Sequence, residues 1–267
     1  VDVSSYKDPW EYGGDTGLKD QKVTIKKVKG MSESSIRGMD ISSYFALKKA
    51  GVKYYDYEGN ETPLLKVLHD NGINYIRIRI WNDPFNADGE TYGGGGNDVS
   101  TGVEIAKEAA KYDMKVLLDF HYSDFWAEPA VQLVPKAWKK DVNNTEKMCS
   151  DVYDFTKESI QKFKDAGANI GMVQVGNEIT NGLLGIYSNR DKGESFNVIW
   201  GDKKKSTEVN KYLKAGIKAV REYTPQALVA LHLETPNVWK YKTIMNTWKR
   251  DNVDYDVLGS SYYPFWS

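Results

Sequence analysis

The sequence is poor in the residues that staple or metallate a fold. A single cysteine, Cys149, among 267 residues excludes an internal disulfide and any thiolate metal cluster, so it reads as a small hydrophobe. Three histidines leave little material for a histidine-built metal centre, and neither an HxH nor an HExxH pattern occurs. No apolar run approaches the roughly 18 residues that a membrane-spanning helix needs. The N-terminus is polar, which gives neither a spanning segment nor a retained signal-peptide core. An excess of one charge is missing too: 36 Lys and Arg stand against 37 Asp and Glu. With a net charge of -1, no global field recruits nucleic acid or an anionic membrane surface, and an uncharged substrate is expected.

Aromatic residues, by contrast, are abundant. They make up 13% of the chain, with 8 Trp and 18 Tyr, a supply that suits stacking on flat apolar faces such as those of sugars. The length fits one large undivided domain. Residues 1–30 are polar and irregular, with one edge strand expected around Val23-Thr24-Ile25, and read as a lead-in or the tail of a preceding module. Residues 31–267 are expected to be the main domain. From Ile36 a short β-rich apolar run, a polar loop and a longer helical pattern ending in Gly recur, which predicts an α/β fold of successive βα units.

The predicted strands are Ile36–Asp40, Tyr75–Trp81, Lys115–Phe120, Met172–Val175, Leu228–Leu233 and Tyr255–Ser260, with five helices between them. One helix follows the Thr62-Pro63 cap and stops at Gly72; another runs from Thr145 to Ala166 and stops at Gly167. Local pattern leaves two arrangements open, a doubly wound open sheet or part of a (β/α)8 TIM barrel. The strand ends distinguish them. The first predicted strand is followed by Ile41-Ser42-Ser43-Tyr44, without GxGxxG or a Walker pattern, and Gly93–Gly96 reads as a flexible turn after a long polar loop.

Polar or aromatic residues instead crowd the C-terminal end of nearly every strand. They are Asp40; Arg77, Arg79 and Trp81; Asp119, His121 and Asp124; Asn177 and Glu178; His232 and Glu234; Tyr262 and Tyr263. In a barrel these ends converge on one mouth, where active sites are built. Period-two alternation puts Arg77, Arg79 and Trp81 on one side of their strand, so both arginines are expected to face inward. Gly176-Asn177-Glu178 closes an otherwise apolar strand with an amide beside a carboxylic acid. Glycoside cleavage needs one carboxyl to protonate the leaving oxygen and another to attack or activate water. Burial at a barrel mouth would raise the Glu178 pKa and keep it protonated for the first role, with Asn177 donating to a sugar hydroxyl.

Five motifs then carry a family resemblance: Arg37-Gly38-Met39-Asp40-Ile41-Ser42-Ser43, Arg77-Ile78-Arg79-Ile80-Trp81-Asn82-Asp83-Pro84, Asp119-Phe120-His121-Tyr122-Ser123-Asp124-Phe125-Trp126-Ala127, Val175-Gly176-Asn177-Glu178 and Ser261-Tyr262-Tyr263-Pro264-Phe265-Trp266. Together, and in this order, they resemble the arabinogalactan endo-β-1,4-galactanases of glycoside hydrolase family 53. The resemblance runs from Ile36 to the end and implies a secreted, extracellular, endo-acting, retaining hydrolase of β-1,4-galactan, the side chain of pectin. It implies a (β/α)8 barrel of which this chain covers about the first six strands. The acid/base lies at the end of the fourth strand, which Glu178 matches, and the nucleophile lies at the end of the seventh, past Ser267. Arg77, His121, Asp124, Trp126, Asn177, His232 and Tyr263 would shape the substrate groove, with Asp40 and Arg79 added as inward or strand-end candidates. No metal or cofactor is expected on these residues; calcium, bound by some bacterial relatives on late barrel loops, would belong to the later part. Neighbouring modules in a longer chain are also expected, and these 267 residues alone are expected to be inactive.

Two other readings compete. Asp119, His121, Asp124 and His232 have the chemistry of metal ligands, as in a metal-dependent barrel hydrolase or isomerase. A non-catalytic glycan-binding barrel would show the same aromatic mouth without a second carboxyl.

Overall fold

A computed structural model describes residues 28–32 and 34–263. The chain divides into two compact units, 1–35 and Ile36–Ser267, and the fold below is that of the second. The edge strand expected around Val23–Ile25 and the Pro264–Trp266 end of the last motif lie outside the described residues.

In chain order the elements are β1 (Gly38–Asp40), α1 (Tyr44–Lys49), α2 (Leu64–Asp70), β2 (Tyr75–Ile80), α3 (Val99–Ala110), β3 (Lys115–Phe120), α4 (Thr145–Asp165) and β4 (Ile170–Val175). A short hairpin of β5 (Gly182–Leu183) and β6 (Ile186–Tyr187) follows. Then come α5 (Asn197–Trp200), α6 (Lys203–Tyr223), β7 (Leu228–Glu234), α7 (Val238–Arg250) and β8 (Val257–Ser261). Four helices start from an Asx cap: Asp98, Asn144, Asp202 and Asn237 accept a hydrogen bond from the backbone N–H three residues on. Each such bond satisfies a donor that the first helical turn leaves unpaired.

The six large strands pair in the order β1-β2-β3-β4-β7-β8, every pairing parallel. The order never reverses. A doubly wound sheet turns back at a switch point, whereas a barrel adds each strand on the same side. The sheet is therefore six consecutive strands of a (β/α)8 barrel. All six predicted strands are present, with ends shifted by one or two residues; the β5–β6 hairpin, too short for a periodic signal, was not foreseen.

Alternation along each strand divides the side chains into two sets. Ile76, Ile78 and Ile80 of β2, Val116, Leu118 and Phe120 of β3, Val173 and Val175 of β4, and Val229, Leu231 and Leu233 of β7 are buried in the main core with the helices. The opposite set begins in a small separate apolar cluster of Tyr75, Met172 and Ala230, with Leu117 and Val257 against it. These five form the barrel floor. Two residues further along the same strands, the register brings Arg77, Asp119, Gln174, His232 and Gly259 to the next levels, so polarity is reserved for the C-terminal end.

Candidate active site

Asp119 on β3 anchors the polar level. It is completely buried, and its Oδ2 lies 2.7 Å from Arg77 Nη2 and 3.0 Å from His121 Nε2. Burial pushes its pKa up, but the Arg77 guanidinium and His121 outweigh that and hold it below the ordinary carboxylate value. Arg77 also donates through Nη1 to Asp40 Oδ2 at 2.7 Å and through Nη2 to Asn177 Oδ1 at 2.9 Å. One planar guanidinium thus joins the ends of β1, β3 and β4, a geometry that a lysine cannot supply. Gln174, inside β4, donates to Asp119 Oδ1 and, at 3.1 Å, to Asn177 Oδ1. Asn177 Nδ2 in turn donates to the Ala127 carbonyl at 2.8 Å.

Glu178 sits where the chain leaves β4 in a sharp reversal. Gly176 has φ +84°, and a Cβ there would lie 2.7 Å from Ile179 Cγ2, so glycine is required. Glu178 itself is left-handed, at φ 47° and ψ 48°. Tyr122 after β3 and Thr235 after β7 share this conformation, with φ 50° and 44°. Such backbone costs about 1–3 kcal/mol per residue and persists where the surroundings over-determine it, as at functional sites. The Glu178 carboxyl is hydrogen-bonded at Oε1 to Ser261 Oγ at 2.5 Å. Burial raises its pKa; the Ser261 bond lowers it, Glu234 and Glu128 raise it again, and Arg77 lowers it, with a net upward shift.

His232 on β7 lies beneath this carboxyl. Its Nε2 is 2.9 Å from Ser261 Oγ and its Nδ1 is 2.9 Å from Asn177 Oδ1. Burial lowers its pKa to about 4, so the imidazole is neutral near neutral pH. The Glu234 carboxylate at the end of β7 is paired with Lys240 Nζ at 3.2 Å.

An aromatic wall forms the other side. The Arg79 guanidinium lies 4.2 Å from the Trp126 ring centroid and 5.4 Å from that of Trp81. Its Nη2 donates to the Gly94 carbonyl at 3.1 Å. The glycine run is thus more than a flexible turn: a Cβ on Gly94 would approach Trp81 Cη2 to 2.8 Å, so only glycine lets this loop close. His121 is buried behind the wall, accepting at Nδ1 from Trp81 Nε1 (3.2 Å) and Ala127 N (3.0 Å). Nδ1 is therefore the unprotonated nitrogen, and Nε2–H donates to Asp119. Expected as a groove wall, His121 stands one layer back and supports it. Asp124 is likewise engaged: its two oxygens accept from the backbone N–H groups of Asp83 and Lys136, tying two loops together. Trp126 remains 41% exposed, and Tyr262 and Tyr263 are largely exposed.

These groups surround a cavity of about 800 Å³ lined by Asp40, Arg77, Arg79, Trp126, Gln174, Asn177, Glu178, His232, Ser261 and Tyr263, with an apolar end at Ile41, Tyr44 and Leu64. Of the residues expected to be catalytic or to shape the groove, His121 and Asp124 are not in its lining, and of the wider strand-end set Trp81, Asp119, Glu234 and Tyr262 are also outside it. Gln174 and Ser261 were not singled out in the sequence, although a glutamine at an inward position of an otherwise apolar strand was a readable signal. Among the described residues no three His, Cys, Asp or Glu side chains converge as a metal set. Arg77 fills the face of Asp119 that a cation would need, so the metal-ligand reading does not fit these residues.

Known proteins resemble this chain in sequence and fold. Residues 36–267 match the profile of Glycosyl hydrolase family 53. The chain is 43% identical over 250 residues to an endo-β-1,4-galactanase of Bacillus subtilis, covering 93% of this chain and 54% of that protein. It is 31% identical over 239 residues to an arabinogalactan endo-β-1,4-galactanase of Humicola insolens, covering 86% and 64%. The chain thus spans between half and two thirds of these relatives. Among solved structures, the family 53 catalytic domain of Ignisphaera aggregans superposes with a TM-score of 0.81 at 35% identity, covering 92% of this chain and 64% of that one. A fungal β-1,4-galactanase gives 0.71 at 29%, covering 86% and 64%. With its motifs, its parallel strand order and these relatives in agreement, the chain belongs to glycosyl hydrolase family 53.

Proposed function

We propose that the whole protein is an endo-acting, retaining glycoside hydrolase that cleaves β-1,4-galactan, with Glu178 as its general acid and base. The observation that carries this reading is the Glu178 carboxyl itself: half-buried, raised in pKa, held by Ser261 and open to the cavity beside Asn177. A carboxyl whose pKa is raised by burial holds its proton to higher pH, can donate it to a leaving glycosidic oxygen and can then deprotonate water in the second step. Names of the relatives supply the substrate class.

Arg77, through its bond to Asn177, sets the amide whose neighbour is the acid, and the exposed face of Trp126 offers a stacking surface for a galactose ring. Asp40, Arg79, His232 and Tyr263 complete the groove, with His121 and Asp124 supporting it. Retention requires a second carboxyl about 5–5.5 Å from the first. The family resemblance implies that this nucleophile stands at the end of the seventh barrel strand; Glu234, at the end of β7, is paired with Lys240. We assign the protein to the extracellular space, where it would open pectic side chains. No described helix is long and apolar enough to cross a membrane.

The test is hydrolysis of β-1,4-galactan by the full-length protein and its Glu178→Gln variant. Release of galacto-oligosaccharides that falls by about 10² to 10⁴ fold in the variant is expected. Substrates with a good leaving group should lose less. Undiminished galactan cleavage by the variant would remove Glu178 from the mechanism, and binding without cleavage by the full-length protein would favour a glycan-binding barrel.

A further inference from the structure

His232 occupies an unusual position between donors and acceptors. At Nδ1 it meets an acceptor, Asn177 Oδ1, at 2.9 Å, and two donors, Gln174 Nε2 at 3.2 Å and the Glu178 backbone N–H at 3.3 Å. The Asn177 oxygen is fixed as an acceptor by Arg77 Nη2 and Gln174 Nε2. At Nε2 it meets Ser261 Oγ, a hydroxyl that can donate or accept, and the same hydroxyl contacts Glu178 Oε1. Either neutral tautomer of His232 therefore finds a partner at both nitrogens.

We propose that Ser261 and His232 form a tautomer relay coupled to the protonation state of Glu178, acting as positioning residues for the acid/base carboxyl. The inference rests on the role assigned to Glu178 above.

The two states balance proton by proton. With Glu178 protonated, its Oε1–H donates to Ser261 Oγ, Ser261 Oγ–H donates to His232 Nε2, and His232 Nδ1–H donates to Asn177 Oδ1. With Glu178 ionised, His232 Nε2–H donates to Ser261 Oγ, Ser261 Oγ–H donates to Glu178 Oε1, and the bare Nδ1 accepts from the Glu178 N–H. The second state holds one proton fewer: the Glu178 proton passes to Ser261 Oγ, the serine proton passes to His232 Nε2, and the Nδ1 proton is released to water in the cavity that His232 lines. The imidazole is neutral in both. Each state satisfies the carboxyl oxygen in the form it then has, so Glu178 is held in one rotamer whether it is acid or base.

The charged groups around the relay are compatible with this. Glu178 faces Arg77 from β2, Glu128 from the loop after β3, and Glu234 from β7. His232 faces Asp119 from β3, Arg77, His121 and Glu234. Its low pKa, about 4 and caused first by burial, disfavours an imidazolium that would break the scheme.

Nitrogen NMR of full-length protein labelled at histidine tests the proposal without substrate. As pH is raised through the Glu178 carboxyl titration, followed by its side-chain carbon signal, the two ring nitrogens of His232 are expected to exchange their protonated and unprotonated signatures at the same midpoint. In Ser261→Ala the Glu178 midpoint should move and the His232 exchange should no longer track it; Ser261→Thr should restore the coupling. A single His232 tautomer throughout, a second proton on His232 at that midpoint, or intact coupling in Ser261→Ala would each overturn the proposal. The wild-type titration alone decides the matter if the alanine variant does not fold. A failed relay leaves galactan cleavage by the wild type intact, whereas absent cleavage counts against the functional reading and not against the relay.

Discussion

Arg79 and Trp126 form a stacked pair, with the guanidinium 4.2 Å from the ring centroid and covering one indole face. Trp126 nonetheless remains 41% exposed and lines the cavity. Arg79 is itself clamped by the Gly94 carbonyl and by Ser43 Oγ, so the ring is aimed from behind. Trp126→Ala is expected to weaken galacto-oligosaccharide binding by about 0.5–1.5 kcal/mol, the scale of an aromatic stacking contact, with little change in melting temperature. Titration calorimetry beside thermal melting checks this. A large loss of stability at unchanged affinity would make Trp126 a packing residue.

Glu178 should leave a pH signature in stability. Its folded pKa lies above its ordinary value, first because of burial, so between those two values the folded state binds more protons than the unfolded chain. Stability from this group is complete below the ordinary glutamate range and declines as pH rises through the raised pKa. Glu178→Gln carries no such penalty. The variant's melting temperature is expected to match the wild type in acid and to exceed it at neutral pH. A constant difference across that range would contradict the raised pKa.

The Asp119 site is the most consequential ion pair of the network. Removing one partner of a buried pair leaves the other charge without compensation, at a cost of about 3–5 kcal/mol. Arg77 retains Asp40, which puts Asp119→Asn toward about 3 kcal/mol in denaturant unfolding. The same variant frees the guanidinium that orients Asn177, so turnover should fall along with stability. Wild-type stability in this variant would mean that the pair contributes nothing net.

Gly216 on α6 gives an expectation opposite to helix propensity. Alanine is favoured over glycine inside a helix by about 1 kcal/mol. Here, however, a Cβ would lie 2.6 Å from Tyr122 Oη and 2.9 Å from Val175 Cγ1. The tyrosine hydroxyl is held by Thr156 Oγ1 at 2.8 Å and has no free direction in which to move. Overpacking of this kind costs about 1–3 kcal/mol, so Gly216→Ala should lower the melting temperature. An increase would show that α6 can slide away from β4.

The fold and much of the site were legible because their signals are local. Alternation in Tyr75–Ile80 separated isoleucines from arginines before any contact was known, and the sheet repeats that division. Gly72 and Gly167 marked helix ends through left-handed φ, a short-range constraint, whereas the expected Thr62 cap makes no side-chain capping bond and the four Asx caps were not read in the sequence. The strand-end cluster was readable because a barrel places every strand terminus at one mouth.

What the sequence determined by itself is the six large strands with helices between them, the inward parity of Arg77 and Arg79, and the placement of Glu178 after a glycine that must turn. The tertiary structure alone decided which strand-end residues touch the cavity. His121 and Asp124 occur in the same motif as Trp126, yet one is enclosed behind Trp81 and the other is bound by two loop amides. It also decided the tie between Ser261 and Glu178, residues 83 positions apart in the chain. The physical reason is range: dihedral preference and hydrophobic period act within a few residues, while burial, hydrogen-bond partnership and pKa arise from groups that meet only when parallel strands set their register.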